Sequence, residues 1–218
     1  MPSVPCWKNL RYAEPVHPRL FDESTDDLLP RDGRASLHLD VLSPERGEAI
    51  FEALRKEVPW AQHDITIFGR TVAEPRLSAW VGDEGTDYTY SGRPRAPLPW
   101  TPALSEMRML CEEVARSPFN AVLCNLYRDG QDSMGWHSDD ETDLGANPVI
   151  ASLSLGSERR FRFRPRETRE TITLDLPPRS LLVMAGECQR HWQHAISKTT
   201  RDVGPRINLT YRQVKPRD

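Results

Sequence analysis

Two stretches of the chain repeat their apolar residues at the spacing of an α-helix. Residues 43–45 (Ser-Pro-Glu) supply an N-cap, a first-turn proline and an early acid, and apolar residues then recur every four positions until Pro59. Residues 101–102 (Thr-Pro) open a second apolar stripe in the same way. We therefore predict helices over residues 44–58 and from residue 101 to about 117, packed together on one side of a sheet.

Alternation of polar and apolar residues dominates the remainder of the chain. After residue 119, runs of this kind follow one another closely, separated by short turns and without helices between them. Such spacing is typical of an antiparallel sandwich or jelly roll, because parallel strands would need helical crossovers. The predicted strands cover residues 64–68, 76–81, 119–127, 149–155, 160–164, 171–176, 180–184 and 206–214.

The first 40 residues lack this regularity. They are rich in proline and charge, so we predict an irregular arm over residues 1–40. Residues 41–218 then form one domain, as the length of 218 residues suggests. Within this domain, residues 41–118 carry the helices and residues 119–214 carry the β core.

Charge and cysteine usage narrow the function. The chain has 29 Lys plus Arg against 32 Asp plus Glu, a net charge of −3, so nucleic-acid binding would need a local basic patch. No run approaches the roughly 18 apolar residues of a membrane span, and no secretory signal is present, which predicts a cytoplasmic protein without membrane contact. The scattered cysteines indicate reduced, mostly buried thiols rather than a redox motif: Cys6, Cys111, Cys124 and Cys188.

One candidate metal site begins at His137 and Asp139. On an extended segment, residues i and i+2 point to the same side. A third ligand would come from His191 or His194, and two histidines with one carboxylate form the facial triad of non-haem Fe(II) oxygenases. A structural zinc site using the three histidines is an alternative. A further alternative is that His137 is a surface histidine beside a solvated Asp139 and binds no metal, because His-x-Asp is common by chance.

A second candidate site lies on the last predicted strand. Its polar residues share one face, opposite Ile207, Leu209 and Tyr211. If that face points inward, its two guanidiniums need an anionic ligand such as a dicarboxylate; otherwise it is the solvated side of an amphipathic strand. Asn125 and Tyr127 on another strand add an amide and a phenol that suit a carboxylate. The polar residues are Arg206, Asn208, Thr210 and Arg212.

Taken together, these motifs resemble the AlkB family, whose members are Fe(II)- and 2-oxoglutarate-dependent dioxygenases that remove alkyl groups from nucleic-acid bases. The resemblance covers roughly residues 65–214 and is specific because the motifs occur in the family's order. It rests on Asn125-Leu126-Tyr127, Asp129-Gly130, His137-x-Asp139 with Glu141, the Ala-Ser-Leu-Ser-Leu-Gly run at 151–156, Phe161 with Phe163, His194, and Arg206-x-Asn208-x-Thr210-x-Arg212.

The resemblance implies a mainly β fold with flanking helices (α+β), a double-stranded β-helix or jelly roll with an N-terminal nucleotide-recognition lid. It implies Fe(II) bound by the catalytic residues His137, Asp139 and His194, with 2-oxoglutarate and O₂ as co-substrates. Matched by position, Arg206, Asn125 and Tyr127 would hold the distal carboxylate of 2-oxoglutarate. Asn208 and Arg212 would lie beside the carboxylate near the metal, and Thr210 would orient the strand's network.

The same resemblance implies DNA, single- or double-stranded, as the partner. The implied reaction removes methyl groups from lesions such as 1-methyladenine and 3-methylcytosine, and releases formaldehyde, succinate and CO₂. RNA or another methylated molecule is the nearest alternative substrate, and a non-catalytic nucleic-acid binding module on the same fold is the alternative from another class. We expect a monomer.

Substrate contacts follow from the need to flip the base out of the duplex. The rings of Tyr90 and His137 would stack on the base. Tyr88 lies with Tyr90 in residues 88–92, which resemble the nucleotide-recognition region of the family's DNA-repair branch. The resemblance implies that Glu141 contacts the exocyclic amine of the base, if the strand continues past Asp139; the alternative is a solvated acid in the acidic run at residues 139–141. The remaining candidates are Phe68 as a wedge or a core residue, Arg76 as a phosphate contact, and the basic run Arg159, Arg160, Arg162, Arg164, Arg166 and Arg169 as a phosphate track or a solvated strand exterior.

Overall fold

Two β-sheets face each other in the computed structural model, which describes residues 27–67, 69–90, 93–168 and 170–215. The strands are β1 (Arg34–His38), β2 (Asp64–Ile67), β3 (Arg70–Ala73), β4 (Leu77–Gly82), β5 (Tyr88–Tyr90), β6 (Arg93–Arg95), β7 (Ala121–Tyr127), β8 (Met134–His137), β9 (Ile150–Gly156), β10 (Arg159–Pro165), β11 (Ile172–Leu176), β12 (Ser180–Ala185), β13 (Trp192–Ile196) and β14 (Arg206–Arg212). The helices are α1 (Pro44–Glu57), α2 (Pro102–Ala115) and the short α3 (Cys188–His191).

The six-stranded major sheet has the order β1-β12-β9-β14-β7-β4, and the four-stranded minor sheet has the order β11-β10-β13-β8. Neighbouring strands within both sheets pair antiparallel. The hairpins β2-β3 and β5-β6 form separate two-stranded sheets. The predicted jelly-roll architecture with flanking helices is confirmed.

Both long helices begin where the sequence predicts. The Ser43 hydroxyl accepts a hydrogen bond from the Arg46 amide at 3.2 Å, and the Thr101 hydroxyl accepts one from the Leu104 amide at 3.3 Å. Pro44 and Pro102 occupy the first turns, where a missing N–H does no harm. The two helices pack on the same side of the major sheet, as predicted.

Successive side chains of the central strands point to opposite faces of the major sheet, and each face contributes to a separate apolar core. Ile207, Leu209 and Tyr211 of β14 face the helices, together with Ala151, Leu153 and Leu155 of β9. The opposite face of the major sheet meets the minor sheet through a second cluster, which includes Trp80, Leu123, Ile150, Phe161 and Phe163. The even-numbered residues of β14 therefore point into the space between the sheets.

Two strands depart from the sequence prediction. The irregular arm predicted for residues 1–40 is wrong for Arg34–His38, which pairs with β12 as the edge strand of the major sheet. An edge strand pairs on one side only and so carries a weak pattern. Trp192–Ile196, predicted only as a source of a histidine ligand, is a central strand of the minor sheet. Residues 1–26 lie outside the described residues.

The described cysteines are free, buried thiols, as predicted. Burial raises the pKa of Cys111 and Cys124 far above the usual thiol value, and raises that of Cys188 to about 12. Such thiols are poor nucleophiles. In the part of the chain that the structure describes, no helix has the length and hydropathy needed to cross a membrane.

We expect Leu153→Ala to lower the free energy of unfolding by about 2–5 kcal/mol, because Leu153 is fully buried in a central strand and its loss leaves a cavity. Urea denaturation measures the change. Met109→Ala is the control: its side chain is 63% exposed, so it should change stability by no more than about 0.5 kcal/mol. Equal effects of the two substitutions would contradict the assigned core.

Candidate active site

A pocket between the two sheets brings together every residue that the sequence assigned to the metal and to the co-substrate. The inner face of the major sheet supplies the polar side chains, and β8 and β13 of the minor sheet supply the histidines. Apolar residues such as Met134, Phe161 and Ile196 complete the wall. The predicted residues lining the pocket are Asn125, Tyr127, His137, Asp139, His194, Arg206, Asn208, Thr210 and Arg212.

His137, Asp139 and His194 each offer a ligand atom, and these atoms all lie within 4.8 Å of one another. His137 ends β8 and lies opposite His194 of β13, with ring centroids 4.2 Å apart. His191 is in α3, with Nε2 3.9 Å from a Glu187 carboxylate oxygen. Of the two histidines that the spacing allowed as third ligand, the structure therefore favours His194. A zinc site made of three histidines would need His191 beside the other two, and His191 is not in this cluster.

The protonation states suit a divalent cation. Burial, together with the charge of His137, lowers the pKa of His194 to about 3, so its imidazole is neutral at pH 7. Burial would raise the pKa of Asp139, but the electrostatic attraction of its neighbours, above all the charge of Arg212, outweighs burial and leaves that pKa lowered. A neutral imidazole and an ionised carboxylate are the forms that bind metals.

A buried carboxylate oxygen of the triad also fits a metal. Oδ2 of Asp139 makes no hydrogen bond among the described residues, and His194 Nε2 lies 3.8 Å from it. His137 Nδ1 lies 2.9 Å from the Gly135 carbonyl oxygen, which can only accept, so this contact leaves Nε2 as the ligand atom. Two imidazoles and one carboxylate that leave other positions open are the donor set of mononuclear Fe(II) oxygenases.

Asp139 is held from both sides. Its Oδ1 accepts a hydrogen bond from Arg212 Nη2 at 2.5 Å, and its backbone N–H donates to Gln189 Oε1 at 2.9 Å. Arg212 and Gln189 are both buried. Gln189 is not predictable from the sequence, since a lone glutamine between Cys188 and Arg190 belongs to no periodic pattern.

The polar face of β14 extends onto β9. Asn208 Nδ2 donates to Ser152 Oγ at 2.9 Å and to the Leu153 carbonyl at 3.0 Å. Thr210 Oγ1 donates to Asn208 Oδ1 at 3.1 Å, a contact that fits the orienting role of Thr210, which stays a prediction. The signal that points to Ser152 is its alternation with Ala151 and Leu153, which places it on the polar face.

Arg206 is the most unusual residue of the pocket. It is 1% exposed, and its Nη2 donates to Ser154 Oγ at 2.9 Å. Within the described residues its Nε and Nη1 make no hydrogen bond, and its guanidinium lies 5.2 Å from the centre of the Tyr127 ring. Burial lowers the pKa of Arg206 to about 10, with Tyr127 acting in the opposite direction, so it stays charged at pH 7. Such a buried cation calls for an anion.

The predicted phosphate contact by Arg76 is wrong. The side chain is 2% exposed, and its guanidinium pairs with Glu74 at 3.0 Å and donates to Asn125 Oδ1 at 2.7 Å. Arg159 is also buried, and it donates to carbonyl oxygens of Asp129, Asp132 and Ser197. Neither arginine is on the surface where a phosphate backbone would pass.

The other β10 arginines lie on the outer face of the minor sheet, alternating with buried Phe161 and Phe163 as the sequence indicates. Each has a partner on the protein: Arg160 pairs with Asp175 at 3.3 Å, Arg162 donates to Ser197, and Arg164 donates to Gln193 at 2.9 Å. Arg166 is paired with Asp140. A phosphate track here stays a prediction, and Arg169 lies outside the described residues.

The substrate-side predictions are only partly described. β8 ends at His137, so the condition that would place Glu141 on the strand with Asp139 is not met. Glu141 instead precedes a 3₁₀ turn at Thr142–Leu144 and is half-buried. Phe68 lies outside the described residues. Tyr88 and Tyr90 belong to β5, but their side chains are not among those that the structure describes.

Comparison with known proteins agrees with this geometry. The family model of the 2OG-Fe(II) oxygenase superfamily matches residues 35–212. The alpha-ketoglutarate-dependent dioxygenase alkB homolog 3 of Mus musculus is 40% identical over 193 residues, which cover 84% of this chain and 67% of that protein. The DNA oxidative demethylase ALKBH2 of Mus musculus is 39% identical over 180 residues, covering 78% and 75%. The chain thus spans two thirds to three quarters of the length of these relatives.

A solved structure described as that of OsALKBH1 has the same fold. It superposes with a TM-score of 0.64 at 18% identity, and the match covers 85% of this chain and 98% of that one. The jelly roll and the two-histidine, one-carboxylate centre define an oxygenase of the 2OG-Fe(II) superfamily. Within that superfamily the chain belongs to the AlkB family, whose cofactor is Fe(II) and whose co-substrates are 2-oxoglutarate and O₂.

We expect Asp139→Ala to abolish metal binding, because it removes the one carboxylate of the triad. It should also lower the stability of the metal-free protein by about 3–5 kcal/mol, because it takes away the carboxylate that compensates Arg212 in the interior. Calorimetric titration with Mn(II) and urea denaturation measure the two effects.

Asp140→Ala is the matched control for this substitution. Asp140 is the next residue, its side chain is exposed, and its pair with Arg166 is on the surface. It should bind Mn(II) as the wild type does and change stability by less than about 1 kcal/mol. Retained Mn(II) affinity in the Asp139 variant would contradict the assigned site.

Proposed function

We propose that this protein oxidatively demethylates N-alkylated bases in DNA, such as 1-methyladenine and 3-methylcytosine, and so repairs alkylation damage. The observation that carries the proposal is the pocket in which the His137, Asp139 and His194 triad adjoins a buried guanidinium that calls for an anion. The high identity to the relatives named as dioxygenases and DNA oxidative demethylases supports the same reaction.

The triad residues would hold Fe(II) through His137 Nε2, an imidazole nitrogen of His194 and Oδ2 of Asp139. Fe(II) held there would supply the activation of O₂ that couples conversion of 2-oxoglutarate to succinate and CO₂ with oxidation of the substrate's methyl group. Arg212 keeps Asp139 ionised, and Gln189 holds its backbone N–H in place. The protein's role is to position the groups and exclude water, which fits its buried, unreactive thiols.

The same pocket would hold 2-oxoglutarate by its two carboxylates. Arg206, which has buried donors to spare, would bind the distal carboxylate with help from Asn125 and Tyr127. Arg212 and Asn208 would lie beside the carboxylate nearer the metal. Both are on the same face of β14 as Arg206, so one strand would set the distance between the two ends of the co-substrate.

The substrate base would reach the site from the side of His137. A base within a duplex cannot enter a pocket between two sheets, so the enzyme must flip it out or take single-stranded DNA. His137 is half-exposed, whereas His194 is buried, so the His137 ring is the one that a base can stack on. Tyr90 would stack on its other face and Glu141 would contact its exocyclic amine. Hydroxylation of the methyl group then releases it as formaldehyde.

RNA as the substrate and a non-catalytic binding module are the competing functions. A binding module would not need an intact triad beside a buried cationic strand, so catalysis is the better account. The proposal includes DNA as the partner, a monomeric enzyme and a cytoplasmic location, and the last two stay predictions.

The test is direct conversion of a methylated oligonucleotide. Protein loaded with Fe(II) at low oxygen receives 2-oxoglutarate, ascorbate and air, with one 1-methyladenine in matched single-stranded DNA, double-stranded DNA and RNA. Mass spectrometry follows loss of the methyl group, and succinate is measured in the same samples. We expect demethylated DNA and equimolar succinate, and neither product with Asp139→Ala.

The other outcomes separate the parts of the proposal. If succinate forms while the methyl group stays on the base, the enzyme is a 2-oxoglutarate-dependent oxygenase but the methylated base is not its substrate. Faster conversion of RNA than of either DNA rejects the DNA assignment. If iron-loaded protein forms neither product, the enzymatic function is wrong.

A further inference from the structure

A buried charge pair next to the pocket is not used by the mechanism above. Glu74 is 0% exposed and Arg76 is 2% exposed, and Arg76 Nη2 lies 3.0 Å from Glu74 Oε2. The other carboxylate oxygen accepts a hydrogen bond from Ser78 Oγ at 2.5 Å. Arg76 does not line the pocket itself, but it contacts Asn125, which does.

This contact fixes which way the Asn125 amide points. Arg76 Nε donates to Asn125 Oδ1 at 2.7 Å. A guanidinium has only donors, so the atom of Asn125 that faces it must be the carbonyl oxygen and cannot be the amide nitrogen. The nitrogen Nδ2 is therefore the atom that Asn125 offers on its other side. An anion such as a carboxylate needs that donor, and the opposite orientation would present it with a repelling oxygen.

The backbone around Arg76 is anchored on two sides. Gln62 Nε2 donates to the Glu74 carbonyl at 2.8 Å, and the Ser133 amide donates to the Pro75 carbonyl at 2.9 Å. Ser78 lies opposite Asn125 in the register of β4 and β7. Arg76 is therefore held in one place relative to Asn125. A buried ion pair adds little to the free energy of unfolding, so stability alone does not account for the pair of Glu74 and Arg76. Its contact with Asn125 points to a role in the pocket.

We propose that Arg76 is a positioning residue for the co-substrate: with Glu74 balancing its charge, it locks Asn125 so that Nδ2 faces the pocket and donates to the distal carboxylate of 2-oxoglutarate. This inference rests on the proposed function, because that function places 2-oxoglutarate beside Asn125. It replaces the substrate-contact role that the sequence predicted for Arg76. It also makes the Glu74-Pro75-Arg76 turn, which links hairpin β2-β3 to β4, part of the co-substrate site.

The test measures 2-oxoglutarate binding separately from turnover. Calorimetry with Mn(II)-loaded protein gives the Kd for 2-oxoglutarate without reaction, and steady-state assays give the KM for 2-oxoglutarate and for the methylated oligonucleotide. We expect the double variant Glu74→Gln/Arg76→Met, which leaves no uncompensated charge, to raise both 2-oxoglutarate constants at least about fivefold. The KM for the oligonucleotide and kcat at saturating 2-oxoglutarate should not change.

Two further variants keep the result decisive. Arg108→Met is the control, because it removes another ion-paired arginine, whose partner is Glu112 at 3.0 Å and not Asn125. It should leave the Kd, both KM values and kcat unchanged. Asn125→Asp keeps the acceptor for Arg76 but replaces the Nδ2 donor by a carboxylate oxygen. It should fold and weaken 2-oxoglutarate binding by about tenfold or more. If the Arg76 variant does not fold, Asn125→Asp still tests the Nδ2 contact on which the inference depends.

Each contrary outcome is distinct from failure of the proposed function. Unchanged 2-oxoglutarate Kd in a folded Arg76 variant, or in Asn125→Asp, overturns the inference. A rise confined to the KM for the oligonucleotide also overturns the inference, because it would mean that Arg76 acts on the substrate and not on 2-oxoglutarate. Failure of the wild type to bind 2-oxoglutarate at all would instead remove the proposed function.

Discussion

Positive charge buried between the two sheets is the constraint on which the site depends. Arg206 and Arg212 lie on the inward face of one central strand, and each is 2% exposed or less. An unpaired buried charge costs several kcal/mol, so each guanidinium needs an anion or a dense set of acceptors. Arg212 has Asp139, and this pairing ties the strand to the metal-binding loop. For Arg206 the described residues supply a hydroxyl and a ring face, which leaves room for a carboxylate from outside the protein.

The alternation of β14 makes this arrangement compatible with folding. Its odd-numbered residues are fully buried against the helices and anchor the strand in the middle of the major sheet. The anchoring energy comes from apolar burial on one face, so the other face can hold groups that destabilise the empty protein. The minor sheet closes over that face and brings in the two histidines. One strand thus connects the helix-side core, the buried guanidiniums of the pocket and the metal-binding triad.

The sequence predicted most of this site because strong, local patterns carry it. Strict alternation over residues 206–212 placed Arg206 and Arg212 on one face, and the cap residues Ser43 and Thr101 placed both helices. The edge strand Arg34–His38 was missed, because a strand paired on one side needs little apolar pattern. The sequence predicts Arg76 as a phosphate contact, because nothing in the local sequence shows that Glu74 and the distant Asn125 surround it. Contacts between residues far apart in the chain decide such cases.

Compensation of the buried Arg206 by a carboxylate of 2-oxoglutarate is the claim that thermal unfolding of Arg206→Met tests most directly. With Mn(II) present, 2-oxoglutarate at a hundredfold excess over its Kd should stabilise the wild type by about 2.7 kcal/mol and raise its Tm. The variant should show no such rise, and without 2-oxoglutarate it should be at least as stable as the wild type, because a buried charge has been removed. A variant that is less stable yet keeps the full 2-oxoglutarate shift would contradict the claim.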